Sequence, residues 1–400
     1  MPFYNCHIHV FSAQCAPRRF LEVGLPWWAD PFASGVKNIL ETRVGRWVSY
    51  KLAKIGWGRF KTAARYASFA SVGTMSTQQM VFENILKYYP TGTRFIVLTL
   101  NMDYMGAGES TLTFQGQLDQ VVNLRRLYPD SCLPFLSIDP RMGSAEDLEA
   151  LVKNYIGEGL PFVGVKFYPA LGYFPFDARL KKVYAYCQEN NVPIMTHCTR
   201  SGTFFLGRFT TAMGIPETIG NPPNIPHSFG NKGNDDECDV FLEPMNWRVV
   251  LEEFPGLKIC FAHMGGVKEM WIKSNPGGPY TWYEDVIGLM AKYENVYTDV
   301  SYTLFDKSKN FRTWDRVADL LKGNANITRA DLGKLDHLAT IKDRVMFGTD
   351  YFMTEQEDSE ANLAIDLPNH LLRQLGGMDL ATPLTKTNVE NYLRSTFFKP

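Results

Sequence analysis

Histidine is scarce in this chain, seven among 400 residues, and four of the seven fall where short apolar runs end. His7 and His9 stand in Asn5-Cys6-His7-Ile8-His9. In an extended segment side chains alternate, so these two imidazoles share one face. His197 closes Ile194-Met195-Thr196-His197, and His263 closes Phe261-Ala262-His263. Lys166 lies in Gly164-Val165-Lys166-Phe167-Tyr168-Pro169 and Asp350 in Phe347-Gly348-Thr349-Asp350. Imidazoles and a carboxylate without a thiolate form a nitrogen and oxygen donor set that suits Zn²⁺, with Mn²⁺, Fe²⁺ or Co²⁺ as further fits. A cation so held lowers the pKa of its water to about 7 and supplies a nucleophile at neutral pH. A neighbouring carboxylate can take that proton and return it to a leaving group. The set therefore points to hydrolysis or a related polar lyase reaction. Taken singly, each residue has a plainer reading. A strand-end histidine is commonly a hydrogen-bonded core residue, Lys166 could pair with an acid, and Asp350 could cap a helix. Those readings must all hold at once, and the joint pattern favours a shared site.

The elements that would position these residues are brief β-branched or aromatic runs, mostly separated by helical patterns. The candidate strands are residues 3–9, 94–99, 133–138, 162–167, 192–197, 257–263, 295–300 and 344–348, and the helices include 144–158, 178–190, 246–254 and 282–293. Short apolar runs without clean alternation are the signature of buried parallel strands. Eight of them predict an α/β fold, a (β/α)8 TIM barrel, over a single domain spanning residues 1–400. The strand ends carrying His7, His9, Lys166, His197, His263 and Asp350 would then converge on the carboxyl mouth, where barrel enzymes keep their chemistry. Three stretches exceed ordinary barrel loops: about 11–90, 199–245 and 302–342, with helices expected at 36–55 and 311–321. All follow odd-numbered strands and read as lid insertions at the mouth.

Composition narrows the function classes. Lys and Arg number 41 against 42 Asp and Glu, a formal charge of −1, so the chain lacks the basic excess of a nucleic-acid binder. The seven cysteines are scattered with no C-x-x-C pair, which suits free thiols in a reducing compartment. No signal peptide precedes the first strand-like run and no apolar run is long enough to span a membrane, so a cytoplasmic protein is expected. The aromatic residues, 27 Phe, 19 Tyr and 8 Trp, suit either a large core or an aromatic-lined pocket. Trp27, Trp28, Trp47 and Trp57 in the first insertion suggest a bulky or planar substrate, and equally a lid packing on itself or a subunit contact.

The order and spacing of these motifs resemble the amidohydrolase superfamily, in the amidohydrolase-2 branch that includes relatives of aminocarboxymuconate-semialdehyde decarboxylase. The resemblance runs through Asn5 to Phe11, Ser137-Ile138-Asp139-Pro140-Arg141, Gly164 to Pro169, Ile194 to His197, Trp247 to Gly266 and Phe347-Gly348-Thr349-Asp350-Tyr351. It implies a divalent metal, Zn²⁺ first, held by His7, His9, His197 and Asp350. His263 would polarise a substrate carbonyl or serve a second site, and Asp350 would double as general base. Lys166 occupies the position of a lysine that other branches carboxylate to bridge two metals. One metal is favoured here, and two would require a carboxylated Lys166.

The substrate is a small molecule. Arg200, three residues after His197, is a candidate for a bidentate pair with a substrate carboxylate, and Tyr168 and His227 are further substrate-binding candidates. Arg18, Arg19 and Arg208 are weaker ones, and His337 and His370 read as surface or helix residues. The leading reading is hydrolysis of a C–N or C–O bond in an amide or lactone. The alternatives are a non-oxidative decarboxylase of an aromatic or unsaturated acid, and a silent barrel that only binds a metabolite. Relatives are often homodimers, and the aromatic insertion would supply an interface.

Overall fold

The computed structural model describes residues 3–20, 72–73, 75–200, 202–222, 227–230, 233–272, 279–303, 307–325, 327–356, 358–364, 379 and 381–400. Eight parallel strands follow one another around a single sheet in sequence order. They are β1 (Tyr4–His9), β2 (Arg94–Leu98), β3 (Cys132–Ser137), β4 (Gly164–Phe167), β5 (Ile194–Thr196), β6 (Ile259–Phe261), β7 (Val296–Asp299) and β8 (Val345–Met346). The end of β8 meets β1 through Cys6 N–H to the Phe347 carbonyl (2.8 Å), Asp350 N–H to the His7 carbonyl (2.9 Å) and an Ile8–Tyr351 bridge. The expected (β/α)8 barrel is therefore the fold, each strand lying within a residue or two of its anticipated place.

Helices lie between the strands: α1 (Gln78–Leu86), α2 (Phe114–Leu127), α3 (Ala145–Tyr155), α4 (Lys181–Glu189), α5 (Asn234–Leu242), α6 (Asn246–Glu253), α7 (Trp282–Lys292) and α8 (Lys307–Leu321), with α9 (Asn388–Leu393) after β8. Their starts are written locally. Ser144 before α3 and Thr281 before α7 each form a capping box, with Asp147 and Glu284 as the reciprocal acids. Side chains divide by strand parity into two cores. Tyr4, Cys6, Leu98, Phe135, Met195, Cys260, Tyr297 and Met346 fill the barrel, and Val389, Tyr392 and Leu393 of α9 join them. Lys258 ties down the end of α9 through the Arg394 carbonyl (2.6 Å). Ile8, Val97, Val165, Phe167 and Ile259 pack outward against the helices.

One irregularity matters for the site. The pairing of β1 with β2 shifts between Asn5 and Ile8, where three steps on β1 match two on β2. Such a bulge changes which face the following residues occupy. Tyr4 and Cys6 belong to the inner core, yet Ile8 and Val10 belong to the outer one, so His7 and His9 turn inward directly after Cys6. Alternation alone would have continued Cys6 with an inward Ile8.

The insertions are described in part. Residues 199–245 contain α5, and residues 302–342 contain α8, four residues longer at its start than the 311–321 expectation. The loops after β1, β2 and β5 are tied by Leu112 N–H to the Gln14 carbonyl (2.8 Å) and Leu206 N–H to the Met105 carbonyl (2.7 Å). The expected helix at 36–55, the four insertion tryptophans and His370 lie outside the described residues.

Candidate metal centre at the barrel mouth

His7 and His9 leave β1 at its carboxyl end, and Asp350 follows β8 four residues after Met346. Their contact is close because Gly348 has no side chain: a Cβ there would lie 2.7 Å from the His7 Cβ. Asp350 and His263 both adopt the left-handed backbone conformation (φ 62° and 66°). For residues other than glycine this costs on the order of 1–2 kcal/mol each, a strain that typically persists where a site requires it.

The hydrogen-bond partners settle the imidazole tautomers. His9 Nδ1 lies 3.2 Å from the Leu98 carbonyl, which can only accept, so Nδ1 carries the proton and Nε2 keeps its lone pair. His7 Nδ1 lies 3.0 Å from the Asp299 carboxylate, with the same consequence. Both Nε2 atoms then face one oxygen, Asp350 Oδ1, at 3.3 Å from His7 and 3.2 Å from His9. His7 Nε2 and Asp350 Oδ1 are buried and have no hydrogen-bond partner among the described residues. Three acceptor atoms turned on one another repel unless a positive charge sits among them. The arrangement fits a divalent cation, and the ligand atoms of the three residues all lie within 4.8 Å of one another.

The electrostatics keep these groups competent as ligands. Burial lowers His7 to about 4 against the pull of Asp299, so the ring is neutral at pH 7. Burial also lowers His263. For Asp350, burial acts upward, but the close imidazoles of His9, His7 and His263 outweigh it and hold the carboxyl below its usual range. Lys166 is fully buried with no hydrogen-bond partner for Nζ among the described residues, and burial lowers it to about 8 despite Asp299 and Asp350.

His263 and His197 form a second pair. His263 Nδ1 donates to the Ser301 carbonyl (3.0 Å), leaving Nε2 to accept from His197 Nδ1 at 3.1 Å. The Tyr168 hydroxyl lies 3.3 Å from His197 Nε2 and accepts from Thr203 N–H (3.1 Å). The two rings are stacked, 15° apart with centroids at 4.2 Å, so the phenol covers the imidazole face. Among the described residues His197 joins neither group of potential ligands, which are His7, His9 and Asp350, and His7, His263 and Asp299.

Of the other candidates, Arg200 donates to Glu269 and Asp239 (both 2.8 Å) and lies over Trp282, its centroid 4.1 Å away. His227 packs edge-on against Phe229, with Nε2 4.0 Å from Glu237. Arg18 and Arg208 are exposed, and His337 is half-buried.

Two residues of the site escaped the sequence reading. Asp299 ends β7 and is fully buried. It accepts from His7 Nδ1, from His263 N–H (3.1 Å) and from Ser301 N–H (3.0 Å) and Oγ. Ser301 Oγ also lies 3.0 Å from His7 Nδ1 and 2.9 Å from His263 Nδ1. A carboxylate on the far nitrogen of a metal-facing histidine fixes the ring and raises its basicity. Asp299 was detectable by the rule that found the others, since it too is a polar residue at a strand's carboxyl end.

A parallel eight-stranded barrel with such a cluster at its mouth defines a metal-dependent barrel enzyme. The family model described as amidohydrolase matches residues 104–394, and the chain belongs to that family, as an enzyme of the metal-dependent amidohydrolase type. Solved structures similar to this chain include a probable 2-pyrone-4,6-dicarboxylic acid hydrolase from Acinetobacter baumannii with citric acid bound, 12% identical, covering 98% of this chain and 99% of that one with a TM-score of 0.51. An uncharacterised TIM-barrel protein from Bordetella bronchiseptica is 13% identical over 98% of both chains, with a TM-score of 0.49. A 5-carboxyvanillate decarboxylase from Novosphingobium aromaticivorans, complexed with manganese and a nitrobenzoic acid, is 12% identical over 98% of this chain and 96% of that one, with a TM-score of 0.45. No curated protein sequence matches the chain.

Proposed function

We propose that this chain is a divalent-metal-dependent hydrolase that cleaves a C–N or C–O bond, of an amide or a lactone, in a small organic substrate. The observation that carries the reading is the meeting of two imidazole lone pairs and a carboxylate oxygen in a buried place where, among the described residues, no donor serves His7 Nε2 or Asp350 Oδ1. His7, His9 and Asp350 would hold the ion, with His197 as the further ligand that the family resemblance implies and Lys166 joining only if carboxylated. Zinc is the first choice for this donor set. When bound, the ion supplies a Lewis acid and a water acidic enough to react at neutral pH.

The chain's own groups supply the rest. Asp350, held ionised, takes a proton and returns it to the leaving nitrogen or oxygen. His263 is anchored on Ser301 and Asp299 with Nε2 turned toward His197, and it would polarise a substrate carbonyl, the role the family resemblance implies, only with a proton taken up on Nε2. Tyr168 shields one face of His197, and Arg200 would reach a substrate carboxylate by exchanging a carboxylate partner it already holds. The neighbour named as a hydrolase is of the same reaction class, although its likeness to this chain is one of fold. The seven cysteines are all unpaired and buried, which suits a reducing compartment such as the cytoplasm, and no helix among the described residues is long and apolar enough to cross a membrane.

The test is product analysis of the zinc-loaded enzyme over a panel of amides, lactones and aromatic acids. New carboxylic acid, with ammonia or an amine from amides, is the expected result. CO₂ release from an aromatic acid without hydrolysis of any amide or lactone would transfer the chain to the decarboxylases.

A further inference from the structure

Glu360 is fully buried behind the β1–β8 seam, ten residues after Asp350, and none of the chemistry above uses it. Its Oε1 accepts from the Tyr89 hydroxyl (2.5 Å) and the Thr349 hydroxyl (2.8 Å), with Asn5 Nδ2 at 3.4 Å. Asn5 Nδ2 has two hydrogens, and the same two hydroxyl oxygens lie 2.8 Å away. A hydroxyl has one proton to give. With both hydroxyl protons directed to Glu360, their lone pairs face the Asn5 amide nitrogen, and this orients the carboxamide. Asn5 Oδ1 is thereby turned to the other side, where it accepts from His7 N–H and Thr349 N–H, each at 3.2 Å. Those two N–H groups belong to the bulge that turns His7 inward and to the residue before Asp350.

We propose that Glu360 is a positioning residue: through Tyr89, Thr349 and Asn5 it fixes the β1 bulge against the end of β8 and so sets the distance between His7 and Asp350. The inference about metal affinity rests on the hydrolase reading, whereas the inference about distance does not. Burial also raises Glu360 to about 8. A glutamine, which keeps an acceptor oxygen in the same place, is therefore its closest substitute.

The experiment compares the wild type with Glu360→Gln, Glu360→Leu and Tyr89→Phe. It reads the metal-free crystal structures and the affinity and visible spectrum of Co²⁺ bound to the full chain. In Glu360→Leu the two hydroxyls lose their common acceptor. The Asn5 amide should rotate, the His7 Nε2 to Asp350 Oδ1 distance should depart from 3.3 Å, and the Co²⁺ dissociation constant should rise about tenfold with altered absorption bands. Tyr89→Phe should move both readouts the same way by less, and decides the matter if Glu360→Leu does not fold. Glu360→Gln should restore the spectrum, which a role in stability alone would not require. Unchanged His7–Asp350 geometry in the leucine variant, or in Tyr89→Phe if that variant must stand in, overturns the inference. If the wild type binds no Co²⁺, the metal reading falls, and the distance still decides the positioning role.

Discussion

Replacing Asp299 with asparagine tests whether the tautomer of His7 is what makes the site. Asp299 Oδ1 takes two backbone donors, His263 N–H (3.1 Å) and Ser301 N–H (3.0 Å), while Oδ2 takes His7 Nδ1 (3.0 Å). An asparagine would keep its oxygen on the two backbone donors and present its NH₂ to His7. Two donors repel at that distance, which favours moving the His7 proton to Nε2, the atom turned toward Asp350, over keeping it on Nδ1 with Ser301 Oγ (3.0 Å) as its remaining acceptor. That atom can then no longer ligate. The loss is one charge-assisted hydrogen bond plus the unfavourable tautomer, about 1.5–3 kcal/mol, or roughly 10- to 100-fold in metal affinity. Chelator competition with Zn²⁺ or Co²⁺ at pH 7 measures it. Thermal stability should change little, because the backbone donors stay satisfied. An Asp299→Asn variant that binds metal within twofold of the wild type, under conditions where Asp350→Asn does not, would refute the tautomer argument.

Three further outcomes follow from the structure. A Cβ on Gly202, whose φ is +115°, would lie 2.6 Å from Tyr168 Oη and 3.2 Å from His197 Nε2. Gly202→Ala should therefore displace the Tyr168–His197 stack and lower kcat, with a cost of about 1–3 kcal/mol in urea unfolding; an alanine variant with wild-type activity and midpoint would contradict this. Glu360 is raised to about 8 by burial, so between its unfolded value near 4.3 and pH 8 the folded state holds the extra proton and stability falls as pH rises. The melting temperature of Glu360→Gln should accordingly decline less than that of the wild type from pH 5 to pH 9, and parallel profiles would count against it. Arg344 donates to the carbonyls of Met290, Tyr293, Val296 and His337 at 2.7–3.0 Å, joining α7, β7 and β8. Arg344→Leu should cost about 3 kcal/mol or more in urea unfolding through those orphaned acceptors, and a midpoint unchanged from the wild type would show the clamp to be dispensable.

Much of this molecule is legible before folding because a parallel barrel writes itself locally. Each buried strand is a short apolar run, and its carboxyl end must open at the mouth, so a polar residue closing such a run reveals both element and site. That rule picks out His7, His9, Lys166, His197, His263 and Asp350 in the sequence. Asp299 carries the same signal in Tyr297-Thr298-Asp299. The β1 bulge is a different case, since it exists only as a mismatch with the register of β2. Neither strand alone encodes it. The role of Asn5 is hidden for the same reason, since its partners Tyr89 and Thr349 are distant in sequence. Glu360 is least legible of all, because its partners come from residues 5, 89 and 349 and meet only when β8 closes on β1. Arg200 lies three residues after His197 in sequence, but its partners Asp239 and Glu269 come from distant elements and meet it only in the fold.

One divalent metal ion is proposed to sit among His7, His9 and Asp350. Elemental analysis of the purified wild type beside His9→Ala and Asp350→Ala tests it directly. About one equivalent in the wild type, lost from both variants while they remain folded, is the predicted result. Wild-type metal content in both variants would place the ion elsewhere and contradict the account.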